Sequence, residues 1–206
     1  MKKKVVFLIP SLGGGGAERV YTHLLNHIDR ERFDLYLIVV KLEGPYVDDL
    51  PKDIKVINLK KSSVKWSLIK LIFEINKIKP HVIMSTLLHL NLALLLVKPF
   101  LKGKPKVIVR EANPPSYSRK SLSKGWLYKW LFKRLYDRAD QVVAISGDVA
   151  EDTVRFFKVD RKKVHIIHNP LVIDQVKSES NEHVHHPWLL DKKEPVLVSV
   201  GRLSEQ

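Results

Sequence analysis

The chain has 206 residues, of which 45% are hydrophobic and 28% are charged, and its formal net charge is +14. It contains no cysteine, which excludes a disulfide framework and a thiolate metal site and fits a reducing compartment. The apolar run Val5 to Ile9 is too short for the core of a signal peptide, and no segment has the roughly 20 apolar residues that span a bilayer. The composition is typical of a soluble globular protein.

The excess positive charge lies in the middle of the sequence. Residues 61–140 carry 17 basic and 4 acidic side chains, whereas the segments before and after them are nearly neutral. A one-sided field of this kind favours an anionic partner, such as nucleic acid, acidic lipid or a phosphorylated substrate. The alternative is a solvated face that keeps the protein soluble.

Short apolar runs rich in β-forming residues alternate with helical periodicity along the chain. Strands are predicted at 3–9, 34–40, 54–59, 81–86, 106–110, 141–146, 164–168 and 196–200. Helices are predicted at 17–28, 64–79, 88–98, 120–137 and 147–157. This alternation predicts an α/β fold with a Rossmann-like parallel sheet flanked by helices, in which ligands bind at the carboxyl ends of the strands.

The periodicity is lost after the seventh predicted strand. Residues 171–194 hold a polar, histidine-containing stretch that indicates a linker, and the apolar run after it resembles the start of a new sheet. We therefore assign residues 1–170 to an N-terminal domain and residues 171–194 to the linker. Residues 195–206 are predicted to be the first strand of a truncated C-terminal domain.

Four consecutive glycines, Gly13 to Gly16, lie between the first predicted strand and the first predicted helix. A helix N-terminus has free N–H groups, and glycine lets an anion approach the backbone closely. The loop lacks the dinucleotide fingerprint, because Glu18 or Arg19 stands where its third glycine belongs and the second strand ends in Lys41 rather than an acid. A nucleotide-dependent oxidoreductase is therefore disfavoured, and a merely permissive turn is the remaining alternative.

Several segments together resemble the group 1 (family four) glycosyltransferases in the same order along the chain. They are GGAERV at 15–20, ADQVVAIS at 139–146, VHIIHNP at 164–170 and VSVGRL at 198–203, with the linker between the last two. The resemblance implies one half of a GT-B fold, in which the N-terminal domain receives the acceptor and the C-terminal domain holds a nucleotide-sugar. It also implies a retaining hexosyltransferase without metal or other cofactor, for which these 206 residues alone are expected to be inactive.

The positions at strand ends, read with this resemblance, give the candidate residues for substrate or phosphate binding. They are Gly13, Gly14, Gly15, Gly16, Arg19, Arg110, Glu111, Asn113, Ser146 and Asn169. The histidine that many family members carry after the fifth strand falls on Glu111 or Ala112, so no catalytic residue is assigned. A polar loop at 110–115 and an N-cap role for Ser146 are the alternatives.

The histidines of the chain give weaker signals. His89 in an apolar helix is predicted to be a packing residue, although it could face the cleft. The three histidines of the predicted linker lack acidic partners, so no metal site is expected there; they are His183, His185 and His186.

Residues 117–137 combine an apolar, aromatic arc with basic side chains, which favours a membrane interface. The predicted contacts are Lys124, Trp126, Lys129, Trp130 and Lys133; an ordinary covering helix is the alternative. The sequence thus predicts a cytoplasmic glycosyltransferase, peripheral on the inner face of an anionic membrane. Its partners would be a nucleotide-sugar and a glycan or lipid-linked acceptor of surface polysaccharide, lipopolysaccharide or lipid-linked glycan synthesis. A basic membrane- or nucleic-acid-binding module without catalysis is the alternative, but no nucleic-acid motif is present and nucleic acid is not expected.

Overall fold

The computed structural model describes residues 1–117, 125–190 and 195–199, and the chain divides into two compact units, Met1–Asn169 and Pro170–Gln206. The strands of the first unit are β1 (Lys3–Ile9), β2 (Phe33–Val39), β3 (Lys55–Asn58), β4 (Val82–Thr86), β5 (Lys106–Glu111), β6 (Gln141–Ala144) and β7 (Val164–Ile166). Its helices are α1 (Gly16–His27), α2 (Val64–Ile78), α3 (Leu88–Val97), α4 (Gly125–Tyr136) and α5 (Gly147–Phe157). The second unit contains α6 (Ile173–Ser180) and α7 (Pro187–Leu190).

The seven strands form one parallel sheet in the order β3-β2-β1-β4-β5-β6-β7. β1 pairs along its whole length with β2, from Lys3 opposite Phe33 to Ile9 opposite Val39. The predicted Rossmann-like parallel sheet flanked by helices is therefore confirmed.

The two faces of the sheet have separate cores. Val6 and Leu8 of β1 belong to a large cluster with α2, α3, α4 and α5, whereas Phe7 and Ile9 belong to a smaller cluster with α1. The connection from β1 to β2 runs one way along the sheet, and the helical connections from β3 onward run the other way. Right-handed crossovers therefore place α1 on one face and the other four helices on the opposite face.

The predicted and observed elements differ mainly at their ends. β6 stops at Ala144, two residues before the predicted end, because its last partner is Ile166 and Ser146 turns out of the sheet to cap α5. The fourth helix was predicted from residue 120, but residues 118–124 lie outside the described ranges, and α4 is described from Gly125.

The second unit departs from the sequence prediction more clearly. α6 and α7 fall in the predicted linker, where the polar sequence gave no helical signal. An eighth strand was predicted at 196–200, but residues 195–199 form no strand. A strand requires a hydrogen-bonded neighbouring strand, which an apolar run does not supply by itself. The assignment of residues 195–206 to a second domain stays a prediction.

Within the described ranges, no helix combines the length and the apolar character needed to cross a lipid bilayer. The apolar helix α3 has ten residues, about half of the roughly 20 that a bilayer requires.

Candidate functional site

The strand order reverses between β1 and β4, which are neighbours in the sheet although their following helices lie on opposite faces. In open parallel sheets this topological switch point leaves a crevice at the carboxyl ends of the two strands. The loop after β1 contains the four glycines, and the turn after β4 leads through Leu87 into α3. The segments from Gly13 to Gly16 and from Leu87 to His89 therefore follow the two strands that border the switch point.

The glycine loop leaves the start of α1 without a side-chain cap. Gly15 is the N-cap residue in extended conformation, and the backbone N–H of Arg19 donates to its carbonyl oxygen at 3.0 Å. Gly14 has φ +88°, which L side chains rarely adopt. The carboxylate of Glu18 lies over Gly15, so closely that a Cβ at position 15 would overlap it. The first turn of α1 thus presents backbone N–H groups to an acidic group or an anion.

A second loop holds the glycine loop in place from behind. The backbone N–H of Leu12 donates to the carbonyl oxygen of Glu43 at 2.9 Å, and that of Lys41 donates to Pro10 at 3.0 Å. Gly44 has φ +116°, and a Cβ there would overlap the backbone of Leu12 and Gly13. The path of the glycine loop therefore depends on the absence of a side chain at position 44.

The turn after β4 is strained. Leu87 has φ +71°, although it is a bulky non-glycine residue. It is the N-cap of α3, and its carbonyl oxygen accepts from the N–H groups of Leu90 at 3.0 Å and Asn91 at 2.9 Å. Strained backbone is concentrated at functional sites, so this turn marks the switch point as the candidate site.

Arg110 is a buried cation that joins three segments at the carboxyl edge. Its side chain is at the end of β5, and the residue is 3% exposed. Its Nη1 donates to the hydroxyl of Thr86 at 3.1 Å, and its Nη2 donates to Oδ1 of Asn169 at 2.6 Å. Desolvation lowers the pKa of Arg110, but a guanidinium keeps its charge in proteins. The edge therefore carries a permanent positive charge.

The hydroxyl of Tyr21 lies near this guanidinium without a hydrogen-bond partner among the described residues. The ring is fully buried edge-on against Phe7, with 5.3 Å between the centroids. Burial raises the pKa of Tyr21 far above its usual value, and the charge of Arg110 opposes that rise. Buried hydroxyls are normally satisfied, so a ligand or a water molecule is the expected partner.

Glu111 follows Arg110, and its carboxyl group is buried against α3 and α4. The residue is 3% exposed, and its Oε1 accepts hydrogen bonds from Nδ2 of Asn91 at 2.8 Å and from the hydroxyl of Tyr136. Asn91 in turn accepts from the hydroxyl of Ser85 at 2.6 Å. Burial raises the pKa of Glu111 to about 7, against the opposing effect of these hydrogen bonds and of Arg110. Glu111 thus ties α3 and α4 to the sheet.

A basic pocket opens beside the glycine loop, between the ends of β1 and β2 and the start of α2. Three lysines and one histidine contribute to its wall: Lys41, Lys61, Lys65 and His89. Glu43 also lines it and forms a 2.5 Å ion pair with Lys41, so the lining carries a net charge of +2. Desolvation lowers the pKa of His89, which leaves a neutral imidazole at neutral pH. The pocket therefore suits an anionic group.

The described ranges hold no group of three or more His, Cys, Asp or Glu side chains arranged to bind a metal ion. In the second unit the rings of His183 and His185 are 6.0 Å apart.

A comparison with protein-family models matches residues 14–175, most of the chain, to Glycosyltransferase Family 4. The chain belongs to glycosyltransferase family 4. It is 27% identical over 214 residues to a Campylobacter jejuni enzyme named N-acetylgalactosamine-N,N'-diacetylbacillosaminyl-diphospho-undecaprenol 4-alpha-N-acetylgalactosaminyltransferase. That alignment covers 98% of this chain and 56% of the relative, so the chain spans little more than half of the relative's length.

Solved structures resemble this family 4 chain in fold. Anabaena Alr3699/HepE in complex with UDP and glucose superposes with a TM-score of 0.61 at 14% identity, over 84% of this chain and 46% of the other. Sucrose-phosphate synthase from Thermosynechococcus elongatus superposes with a TM-score of 0.64 at 10% identity, over 90% and 54% of the two chains. A glycosyltransferase from Rickettsia africae gives 0.58 at 18% identity, over 87% and 49%. The sheet is thus the N-terminal half of a GT-B fold.

The family 4 chain brings many of the predicted binding residues to the carboxyl edge of its sheet. Besides the four glycines, Arg110 and Asn169 lie there in direct contact, and Ser146 lies at the end of β6. The hydroxyl of Ser146 accepts from the N–H of Val149 at 3.3 Å, as expected of an N-cap. Arg19 and Asn113 are exposed. Substrate binding by these residues stays a prediction.

Two predicted roles change with the structure. Glu111 was grouped with the substrate contacts, but its carboxyl group is buried against α3 and α4. His89 was predicted to be a packing residue, but it is exposed and lines the basic pocket. Both changes follow from the direction in which each side chain leaves its element, which the sequence does not specify.

Sequence reasoning missed the polar network beneath the edge and the lysines of the pocket. Asn91 stands alone in the apolar helix LHLNLALLLV, and a polar residue in such a run is a signal for a buried hydrogen bond. The pocket is formed by lysines that no sequence periodicity connects. Lys41 lies 20 residues before Lys61, and Lys61 precedes α2 whereas Lys65 lies in its first turn.

The predicted membrane segment is described only from α4 onward. Lys124 lies outside the described residues, as do the side chains of Trp126 and Lys129. Trp130 and Lys133 are exposed, and the guanidinium of Arg134 lies 5.4 Å from the ring centroid of Trp130. The other side of the helix packs into the core through Phe132, Leu135 and Tyr136. Membrane contact by the exposed side stays a prediction.

Replacing Arg110 by lysine is expected to lower the free energy of unfolding by about 2 kcal/mol. A single ammonium cannot reproduce the forked contacts with Thr86 and Asn169, so one buried oxygen loses its partner. Urea unfolding measures the change. The control is Arg161→Lys, because Arg161 donates one hydrogen bond, to the carbonyl oxygen of Val164 at 2.7 Å. Equal destabilisation of the two variants would contradict a bridging role.

Proposed function

We propose that this chain is the acceptor-side half of a retaining, sugar-nucleotide-dependent hexosyltransferase. Its product would be a lipid-linked glycan or another precursor of a surface polysaccharide, made at the inner face of the cell membrane. The observation that carries the proposal is the uncapped start of α1 at the switch point of a family 4 sheet. The name of the Campylobacter jejuni relative, a sugar transferase acting on a diphospho-undecaprenol compound, supports this class of acceptor.

The glycine loop is the proposed site of approach for a diphosphate. Gly16 is the first residue of α1, and a Cβ there would meet no atom within 4 Å, so the space above it is open. Backbone N–H groups at a helix start stabilise negative charge, and such charge develops on the leaving phosphate during sugar transfer. The donor would arrive on a second GT-B domain, and no metal or other cofactor is required in this proposal.

The basic pocket is the proposed site for the phosphate of the acceptor. Lys41, Lys61 and Lys65 supply the positive charge, and the neutral imidazole of His89 can accept or donate a hydrogen bond. The pocket adjoins the glycine loop through Pro10 and Ser11. An acceptor held there would lie next to the donor diphosphate, as transfer requires.

The test is sugar transfer by the full-length protein with a panel of nucleotide-sugars and lipid-diphosphate acceptors. Gly16→Ala is expected to lower kcat/KM at least fivefold, because the added methyl group occupies the approach to the α1 N–H groups. Its stability should be unchanged or slightly higher, since alanine favours helix over glycine.

Gly147→Ala is the matched control. Gly147 is also the first residue of a helix, α5, and a Cβ there also meets no atom within 4 Å. This variant should keep wild-type kcat/KM. An equal loss in both variants, or no sugar transfer from any nucleotide-sugar by the wild type, would refute the proposal.

A further inference from the structure

Helix α2 is apolar on two opposite sides. One side packs into the core through Leu71, Ile75 and Ile78. The other side exposes three large hydrophobic residues: Trp66 at 74%, Ile69 at 85% and Phe73 at 65%. Their spacing of three and four residues places them in a row along the helix. A contiguous exposed apolar patch of this kind marks an interaction surface.

The row continues beyond the end of the helix. Asn76 donates from Nδ2 to the carbonyl oxygen of Phe100 at 3.2 Å and accepts from the N–H of Lys102 at 2.7 Å. These bonds fix the 3₁₀ turn at 98–100 against α2, and the ring of Phe100 is exposed there. We call the surface formed by Trp66, Ile69, Phe73 and Phe100 the α2 face.

The surroundings of the α2 face are almost purely basic. Residues 60–106 contain ten lysines and a single acidic residue, Glu74. The lysines beside the α2 face are exposed, among them Lys65, Lys77, Lys79, Lys102 and Lys104. Exposed aromatic and aliphatic side chains bordered by lysines are the pattern of helices that lie in the interface of an anionic bilayer.

We propose that the α2 face docks on an anionic lipid bilayer. Trp66, Ile69 and Phe73 enter the interface between headgroups and acyl chains, while the neighbouring lysines contact the acidic headgroups. This surface is separate from the exposed side of α4, because α3 lies between α2 and α4 and packs against both.

The charge and the shape of the α2 face favour a bilayer over other occupants. A second copy of the chain would bring lysines against lysines, which opposes association. Nucleic acid would use the lysines and the aromatic rings, but it offers no partner for Ile69, the most exposed of the three helical residues. A bilayer accommodates both the aliphatic and the basic parts.

Docking through the α2 face also orients the proposed acceptor site, and this part rests on the proposed function. Trp66 belongs to the α2 face and to the lining of the basic pocket, and Lys61 and Lys65 lie beside it. A docked α2 therefore holds the mouth of the pocket at the level of the headgroups, where the phosphate of a lipid-linked acceptor is found.

The test is sedimentation of the full-length protein with vesicles of phosphatidylcholine alone or of phosphatidylcholine mixed with phosphatidylglycerol. We expect binding to the mixed vesicles, and at least a tenfold loss of that binding in the Ile69→Ser, Phe73→Ser double variant. Both side chains are exposed, so the melting temperature should stay unchanged. The matched control, Ile167→Ser with Leu171→Ser, removes two exposed hydrophobic side chains outside both the α2 face and residues 117–137 and should bind like the wild type.

A second measurement locates the contact. These 206 residues contain no cysteine, so an environment-sensitive dye can be attached at Ile69→Cys and, for comparison, at the exposed position Leu171→Cys. Mixed vesicles should shift the emission of the first dye to the blue and leave the second unchanged. Undiminished vesicle binding by the double serine variant would overturn the proposal. A dye at position 69 that is already shielded without lipid, by self-association or by another part of the protein, would overturn it as well.

These results are independent of the proposed chemistry. Transfer to a water-soluble glycan acceptor should be equal in the wild type and the Ile69→Ser, Phe73→Ser variant. Vesicle binding without any sugar transfer would refute the proposed function and leave the docking surface intact. Sugar transfer without vesicle binding would support the proposed function and refute the docking surface. If the Ile69→Ser, Phe73→Ser variant lost binding of a short oligonucleotide but kept its vesicle binding, the α2 face would be a nucleic-acid surface and the bilayer proposal would be overturned.

Discussion

The Gly44→Ala variant is expected to lose about 3 kcal/mol of unfolding free energy, the largest effect of any single methyl group in the glycine-loop region. A side chain at φ +116° is strained, and the added Cβ would overlap the backbone of Leu12 and Gly13. The backbone of Leu12 is also held by the hydrogen bond from its N–H to the carbonyl oxygen of Glu43, so a shift that relieves the overlap strains this bond. Urea unfolding followed by circular dichroism measures the loss.

The Gly103→Ala variant serves as a control that separates the cost of a positive φ from the cost of the steric overlap at position 44. Gly103 also has a positive φ, +79°, but a Cβ there would meet no atom within 4 Å. This control should lose about 1 kcal/mol, the conformational penalty alone. If the two variants were equally destabilised, position 44 would not hold the glycine loop. In the full-length protein, we expect Gly44→Ala to reduce sugar transfer as well, since the loop it displaces is the proposed diphosphate site.

Glu111 is expected to make the protein less stable as the pH rises from about 4.5 to about 7. Burial raises its pKa from 4.5 in the unfolded chain to about 7 in the folded protein. In that window the folded state holds a proton that the unfolded chain has released, so deprotonation favours unfolding. The contribution is fully present below pH 4.5 and lost above pH 7, and it amounts to about 3 kcal/mol.

Glu111→Gln should remove this dependence. The amide oxygen of glutamine can still accept from Asn91 and Tyr136, but it does not titrate. Relative to the wild type, the variant should gain stability steadily from pH 4.5 to pH 7 in urea unfolding. The control is Glu151→Gln on α5, which alters an exposed pair with Arg155 and should keep the wild-type profile. Parallel profiles for Glu111→Gln and the wild type would show that the carboxyl group does not carry the proton.

The same network couples the edge of the sheet to the helices. Tyr136 of α4 donates to Glu111 and stacks on Phe157 of α5, with 3.7 Å between the ring centroids and 6° between the ring planes. Asn91 of α3 donates to both the carboxyl group of Glu111 and the carbonyl oxygen of Arg110. A change in the charge of Glu111 therefore acts on three helices that cover one face.

The order of elements in the first unit follows from local patterns in the sequence. The helix predicted at 147–157 has the same bounds as α5, because Ser146 caps its start and Lys158 ends it in the left-handed conformation. The strand predicted at 3–9 has the same bounds as β1, since both of its neighbours pair with it along the buried run. Ends without such signals, as in β6 and β7, were predicted two residues too long.

The sequence by itself determined the alternation of strands and helices, the glycine turn and the family. These depend on spacing within a few residues, which the chain displays directly. The tertiary structure alone decided that the carboxyl group of Glu111 faces the helices, that Asn169 meets Arg110, and that α2 presents a second apolar side to solvent. These facts depend on pairing between segments far apart in sequence and on which face of the sheet each crossover covers. Helical spacing shows which side of a helix is apolar. Whether that side is buried depends on the element packed against it, and the order of the strands decides which element that is.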